Sequence, residues 1–420
     1  MKEMSVERSA AERVTAAELD RSDPLASIRE AFQVPAGVIY LDGNSLGALP
    51  RGIAARVERV IREQWGEGLI RSWNTADWYE LPTRVGDRIA PLIGAGPGEV
   101  VVGDSTSVSL FRVVAAALRL RPTRNVLISE RRNFPTDLYI LEGIRMLRPD
   151  VEIRLAEEGQ SPVELLDDRV AATVLTHVDY RTGEIHDAES LTANAHKVGA
   201  LAIWDLSHST GIVPVDLRGI DADFAVGCGY KYLNGGPGAP SHTWIAPRHA
   251  GVAEQPLAGW LGHADPFAFK PGYEPAPGAR RFITGTQQVL SLAALDEAMR
   301  IWEKVRIQQV REKSTLQTRR FIELVDQTCA GTGLTLVSPR DDNRRGGHVS
   351  YAHEHGYAVM QALIDRGIIG DFRAPNILRF GFSPLYLRFE EIERAAEALG
   401  EILRTRSWDD PRFTERRRVT

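Results

Sequence analysis

The sequence of 420 residues predicts an α/β fold: a mostly parallel central sheet flanked by helices, with a smaller α+β C-terminal domain. Three observations carry this. Short apolar runs alternate with helix-length amphipathic segments over 99–205, the pattern of strand–helix units on a parallel sheet. Polar turns follow one run after another, so chemistry-bearing residues collect where strands end. After a helix predicted over 287–313 the order becomes helix, strand, strand, helix, strand, helix, which marks a second unit.

Bulk composition narrows the classes. Hydrophobic residues make up 43% and charged residues 25%, ordinary for a globular protein. A balance of 51 basic against 56 acidic residues, with no strong one-sign run, argues against nucleic-acid and membrane partners. Two cysteines, Cys228 and Cys329, supply neither a disulfide framework nor a cysteine-rich metal site, which fits a reducing cytoplasm. No run of 18 apolar residues occurs, and MKEMSVERSAAERV lacks the apolar stretch of a signal peptide. The length exceeds one usual domain. The expected division is an arm over 1–50 contributing to the small domain, a large domain over 51–300 and a small domain over 301–420.

The charged, alanine-rich residues 1–38 predict a helical arm ending near Pro35. VIYLDGNSLGALP reads as a short strand, a turn at Asp42-Gly43-Asn44 and a stop at Pro50, with Asn44 and Ser45 suited to satisfying turn backbone. A helix over 53–65 follows. Arg71, Trp73 and Trp78 then fall close together, either as core or as the wall of a pocket for a flat ligand.

A strand over 99–103 leads into the polar turn Asp104-Ser105-Thr106-Ser107 and a helix over 108–120. Small hydroxyl residues cap a helix start, and the same N–H groups and dipole bind a phosphate. A strand over 125–129 exits into Arg131-Arg132-Asn133-Phe134-Pro135-Thr136-Asp137 and another helix, setting Phe134 and Asp137 at a second strand end. Strands over 151–155 and 172–176 follow, the latter ending in Thr176, then a helix over 189–198.

The run Leu201-Ala202-Ile203-Trp204 places Asp205 at the carboxyl end of a buried strand, and Lys231 ends the next apolar run 26 residues on. An isolated pair of this kind is most often a capping acid and a surface lysine. In one cleft, the two suit pyridoxal phosphate: lysine holds the aldehyde as a Schiff base, and the carboxylate keeps the ring nitrogen protonated. Beyond Lys231 come a flexible turn over 234–238, a strand over 242–246, and a loop-rich stretch over 251–286 holding Trp260, His263, Phe267 and Phe269. So long an irregular stretch in a compact domain tends to be functional. The C-terminal part predicts strands over 334–337, 347–351 and 377–382, helices over 357–366 and 390–404, and a loosely held tail from Ser407.

YLDGNSLG (40–47), FPTD (134–137), DLSHS (205–209), GYKYLNGGPG (229–238), GWLGH (259–263) and LRFGFSPLY (378–386) together resemble kynureninase, in order, over most of the chain. The resemblance implies a pyridoxal phosphate-dependent hydrolase of the aspartate-aminotransferase fold (fold type I), a homodimer that cleaves L-kynurenine to anthranilate and L-alanine. It further implies Lys231 as the Schiff-base lysine, Asp205 paired with the pyridine nitrogen, and Phe134 stacked on the ring. Asp137 and His208 would line the ring edges. Thr106, Ser107, Tyr230 and, from the partner subunit, Trp260 and Thr286 would hold the phosphate, with Thr176 a further cofactor contact. Arg379 corresponds to the family's substrate-carboxylate arginine, and its planar fork suits that task. Tyr230 is a candidate proton relay. Trp73, His263 and Thr286 are candidates around the aryl ring, and Asn44 and Ser45 join the substrate side. Preference between kynurenine and its 3-hydroxy derivative stays open. The competing readings are an aminotransferase of the same fold, a catalytically silent cofactor-binding protein, and a cysteine desulfurase, which needs an exposed, reactive cysteine.

Overall fold

The computed structural model describes residues 14–415. Its centre is a seven-stranded sheet in the order Val100–Val102, His242–Ile245, Phe224–Gly227, Leu201–Asp205, Val170–Thr176, Val126–Glu130, Glu152–Ala156. His242–Ile245 runs antiparallel to both neighbours. The remaining pairs are parallel. Every residue of Val170–Thr176 and Leu201–Asp205 is buried, which is why these strands read as continuous apolar runs rather than as alternation.

Consecutive residues still face opposite ways. Val101, Ile203 and Phe224 join an apolar cluster with helix Thr106–Leu120 on one face. Val102, Trp204 and Ala225 join the cluster on the other face, which continues into the C-terminal part. The period of two thus sorts each strand between two helical layers.

The C-terminal part is an antiparallel sheet of Thr335–Leu336, His348–Ala352, Ile377–Gly381 and Asp371–Arg373. Helices Ile307–Thr328 and Phe389–Thr405 pack together beside it. Phe321 of the first meets Phe380 and Phe382, with ring centroids 5.0 and 5.3 Å apart. The N-terminal strand Ile39–Tyr40 pairs in parallel with Ile368–Ile369, so the start of the chain is stitched to its end. Among the described residues no helix is long and apolar enough to cross a membrane.

Most predicted elements fall within two residues of their observed ends, and four differ. The arm is not one helix. Thr15 caps a short helix, Ala16–Arg21, and a 3-10 turn, Ala26–Ala31, follows. Pro24 disfavours helical backbone at Asp23 and separates the two; residues 1–13 lie outside the described residues. The helix predicted over 53–65 is α-helical over Gly52–Arg59 and continues as a π-helix over Val60–Gly68. The helix predicted over 287–313 breaks: Val289–Met299 gives way to a 3-10 turn, Arg300–Glu303, and a new helix starts at Ile307. Trp302 and Val305 turn into the core at that break. The tail is not loose as far as residue 415, because Trp408 and Phe413 are buried and His355 stacks on Trp408 at 4.3 Å.

Candidate active site

A cavity of about 520 Å³ opens at the carboxyl ends of the parallel strands. Five strand exits build it. After Val100–Val102, Ser105 caps the 15-residue helix Thr106–Leu120 and accepts a hydrogen bond from Val108 N at 3.4 Å. Thr106 and Ser107 occupy the first two helical positions on the cavity wall, where unpaired N–H groups and the helix dipole favour an anion. The Thr106 hydroxyl is buried without a protein partner.

After Val126–Glu130, helix Pro135–Leu147 starts with Phe134 and Asp137 on the cavity. Phe134 is 39% exposed, high for a ring in so apolar a fold, and its edge meets Tyr180 at 5.2 Å. Thr176 and Asp205 end adjacent strands as direct partners across the sheet. Thr176 hydrogen-bonds to Asn133, which also accepts from Phe134 N at 2.6 Å and so sets the start of the FPTD turn.

Asp205 accepts from Ser207 N at 2.8 Å. Burial pushes the Asp205 carboxyl up, as it does that of Asp137, where the neighbouring Asp205 charge adds to the effect. Asp137 Oδ2 has no protein partner. Two adjacent buried acids ionise together only if a cation joins them.

Lys231 Nζ lies 3.0 Å from His208 Nε2 and 5.9 Å from the ring centroids of both Phe134 and Tyr230. Burial, then the Lys231 and Arg379 charges, holds the His208 imidazole well below its ordinary value, so the ring is neutral. The Tyr230 phenol is pushed up, first by the neighbouring Cys228 and then by burial, and keeps its proton. The lysine turn is itself clamped from the N-terminal segment: Gly47 N donates to Tyr230 O at 2.8 Å, and a Cβ on Gly47 would collide with Lys231 O.

A second cluster occupies the seam with the C-terminal sheet. Arg379, 1% exposed, gives Nε to Asp371 at 2.8 Å and a second N–H to the same carboxylate. It also donates to Tyr180 O at 2.6 Å and Ser45 Oγ at 2.8 Å. Its fork is therefore occupied by Asp371. Arg373 donates to Asp371 at 2.7 Å and to Ser45 at 3.2 Å, while its Nε is buried with no protein partner. Burial would raise the Asp371 carboxyl, but the two arginines hold it below the ordinary range. Asn44 is fully buried against Gly381, with both side-chain polar atoms unpartnered. Beside it, burial and then the Asp371 charge push the Asp42 carboxyl up to about 8.

The sequence-predicted residues thus divide. Thr106, Ser107, Phe134, Asp137, Thr176, Asp205, His208, Tyr230 and Lys231 line one cavity. Arg379 and Ser45 meet in the arginine cluster, and Asn44 packs beside it. Trp73, Trp260, His263 and Thr286 do not line the cavity. Trp260, 39% exposed, stacks on Phe269 at 6.1 Å and lies 6.5 Å from Trp73; His263 meets Tyr273 at 5.8 Å. Thr286 is exposed. Sequence reasoning missed Asp371, Arg373, Asp42 and Asn133. Of these, Asn133, next to FPTD, and Asp42, within YLDGNSLG, carried a local signal.

The residues present fit pyridoxal phosphate. The orphaned Thr106 hydroxyl and helix N-terminus suit its phosphate, the half-exposed Phe134 face suits its ring, and the acid pair suits a protonated ring nitrogen. Fold and site together define a pyridoxal phosphate enzyme of fold type I. Solved structures of similar fold include a cysteine desulfurase from Thermococcus onnurineus NA1 (TM-score 0.75, 22% identity, covering 90% of this chain and 98% of that one). The cysteine desulfurase CsdA of Escherichia coli is another (TM-score 0.73, 17% identity, covering 91% and 98%). At that identity the likeness speaks for the fold alone. The kynureninase C-terminal domain model matches residues 310–399. Kynureninase of Burkholderia pseudomallei is 53% identical over 407 residues, spanning 96% of this chain and 98% of its own. Kynureninase of Pseudomonas fluorescens is 51% identical over the same shares. The chain belongs to the kynureninase family, pyridoxal phosphate-dependent hydrolases acting on a carbon–carbon bond.

Proposed function

We propose that this protein hydrolyses the Cβ–Cγ bond of L-kynurenine, consuming one water and releasing anthranilate and L-alanine. The observation that carries the reading is the meeting of Lys231, Asp205, Phe134 and the Thr106–Ser107 helix start in one cavity next to a buried arginine cluster. When bound, pyridoxal phosphate supplies the electron sink that lets the substrate Cα–H and Cβ–Cγ bonds break heterolytically.

This chain's residues do the rest. Lys231 Nζ would hold the cofactor aldehyde, and its free amine would take the substrate Cα proton. His208 Nε2 accepts a hydrogen bond from Nζ and fixes its direction. Asp205 would keep the ring nitrogen protonated, and Phe134 would pack on the ring face. Tyr230, whose phenol stays protonated, donates toward the ketone oxygen as water adds. The substrate carboxylate goes to the Arg379–Arg373–Ser45 cluster. Because Asp371 already occupies the Arg379 fork, the open donors are the remaining Arg379 N–H and the Arg373 guanidinium.

A homodimer completes the reading. Trp260, Phe267, Phe269, Trp65 and Ile70 are exposed apolar side chains, and Trp260 and Thr286 lie off their own chain's cavity, which supports their serving the partner's site. Two buried free cysteines support a reducing, cytoplasmic setting. The proposed division is an arm over 1–50 serving the small domain, a large domain over 51–300 and a small domain over 301–420; the pairing of Ile39–Tyr40 with Ile368–Ile369 supports the arm's assignment. A desulfurase activity is disfavoured: Cys228 and Cys329 are both buried, and burial pushes both thiols up, away from a reactive thiolate.

The test is to mix cofactor-loaded protein with L-kynurenine and quantify anthranilate by fluorescence and alanine in parallel. Equal yields are expected, and Lys231→Ala should lower turnover by about 10³-fold or more. A loaded protein forming no anthranilate would point to an aminotransferase or a silent binder.

A further inference from the structure

Beyond the residues assigned above, one buried histidine faces the catalytic lysine from the opposite sheet. His348 is 0% exposed, and both of its ring nitrogens lack a protein partner. A buried polar group left unmade costs about 1–3 kcal/mol, so two on one ring call for a partner. The ring sits 5.5 Å, centroid to centroid and at 61°, from His208.

His208 has a matching need. Lys231 Nζ lies 3.0 Å from His208 Nε2, and where Nζ donates to it the proton of the neutral imidazole lies on Nδ1. That Nδ1 is buried and unpartnered. Both rings are neutral: burial, with the Lys231, Arg379 and Arg373 charges, holds each well below its ordinary value, opposed at His348 by Asp371. A neutral imidazole has one acceptor nitrogen to give, and the two ring centroids are near enough for one water, or the rings themselves, to join the unpartnered nitrogens.

We propose that His348 is a positioning residue: its ring accepts the His208 Nδ1–H, directly or through one water, and thereby fixes the tautomer in which His208 Nε2 holds Lys231 Nζ. This rests on Lys231 being the cofactor-binding lysine. His348 belongs to the His348–Ala352 strand, which pairs with the strand carrying Arg379. The relay therefore ties the sheet that bears the substrate arginine to the lysine across the seam. Gly183 leaves room for the ring, since a Cβ there would approach it to 3.3 Å.

The test uses cofactor-free full-length protein carrying ¹⁵N-histidine, with His348→Phe and His348→Gln as variants. Ring ¹⁵N shifts read the His208 tautomer. Capture of pyridoxal phosphate, trapped with borohydride and mapped by peptide mass, reads Lys231. The wild type should show the Nδ1–H tautomer at His208. His348→Phe should mix the tautomers and slow capture about tenfold, as loss of a supporting hydrogen bond does, while His348→Gln stays within about twofold. A wild-type His208 protonated on Nε2 overturns the proposal whatever the variants do. So does a folded His348→Phe protein with wild-type signals and capture rate, or a Gln variant as impaired as Phe, which would mark a packing role. A wild type that captures no cofactor at Lys231 overturns the functional reading and this inference with it.

Discussion

The two halves of the candidate site are built on opposite principles. On the large sheet, the cavity walls hold polar atoms with nothing to bind: Thr106 Oγ1 and Asp137 Oδ2. On the small sheet, the Arg379 fork is already occupied by Asp371, and two further N–H groups go to Tyr180 and Ser45, leaving one free. The first half is completed by a ligand that stays, and its unmet hydrogen bonds are a reservoir of affinity for that ligand. On the proposed reading, the second half greets and releases a carboxylate in every turnover. An internal carboxylate keeps the arginine oriented between turnovers and spares it the cost of standing unpaired in the core. The substrate then competes with Asp371 rather than filling an empty fork, which tempers its ground-state binding.

The sharpest way to break this contrast is Asp371→Ala. It leaves a buried guanidinium unpaired and should cost about 3–5 kcal/mol in denaturant unfolding, whereas replacing Asp371 and Arg379 together by leucine should restore most of that. A cost under about 1 kcal/mol would mean that the pair is not the seam's anchor. Cofactor loading should survive in Asp371→Ala, because the two halves are separate.

A smaller effect comes from Arg373, whose open Nε makes it the freer cation of the cluster. Arg373→Ala should raise KM for L-kynurenine about tenfold with kcat changed less than about threefold, the signature of lost uniform binding. Unchanged KM would return the whole task to Arg379.

The same contrast explains what the sequence disclosed. The large-sheet half consists of residues just past strand ends, and each strand is a short apolar run, so Asp205, Lys231, Phe134, Asp137, Thr106 and Ser107 are legible one segment at a time. The small-sheet half is made by long-range pairing. Asp371 in IIGDFR looks like a turn acid until the Asp371–Arg373 strand is set beside Ile377–Gly381, with Asp371 directly opposite Arg379. Asp42 and Ser45 reach the same point only because Ile39–Tyr40 pairs with Ile368–Ile369. His348 had no periodic or motif signal at all. The break after Met299 was hidden for a related reason: no proline or glycine marks it, and it exists because Trp302 finds a place in the core.

A third prediction is a dependence on pH. Asp42 is buried beside Asp371, and burial followed by that charge pushes its carboxyl up to about 8. In the unfolded chain it ionises near the ordinary value of about 4. Between those limits the native state binds more protons than the unfolded state, so stability falls as pH rises through that window and levels off above it. Asp42→Asn keeps shape and neutrality without the titration. Unfolding free energies of the two proteins should coincide near pH 4 and diverge toward pH 8, with the asparagine variant the more stable at the upper end. A constant offset across the range would show that Asp42 ionises normally, and that the arginines neutralise both seam carboxylates rather than Asp371 alone.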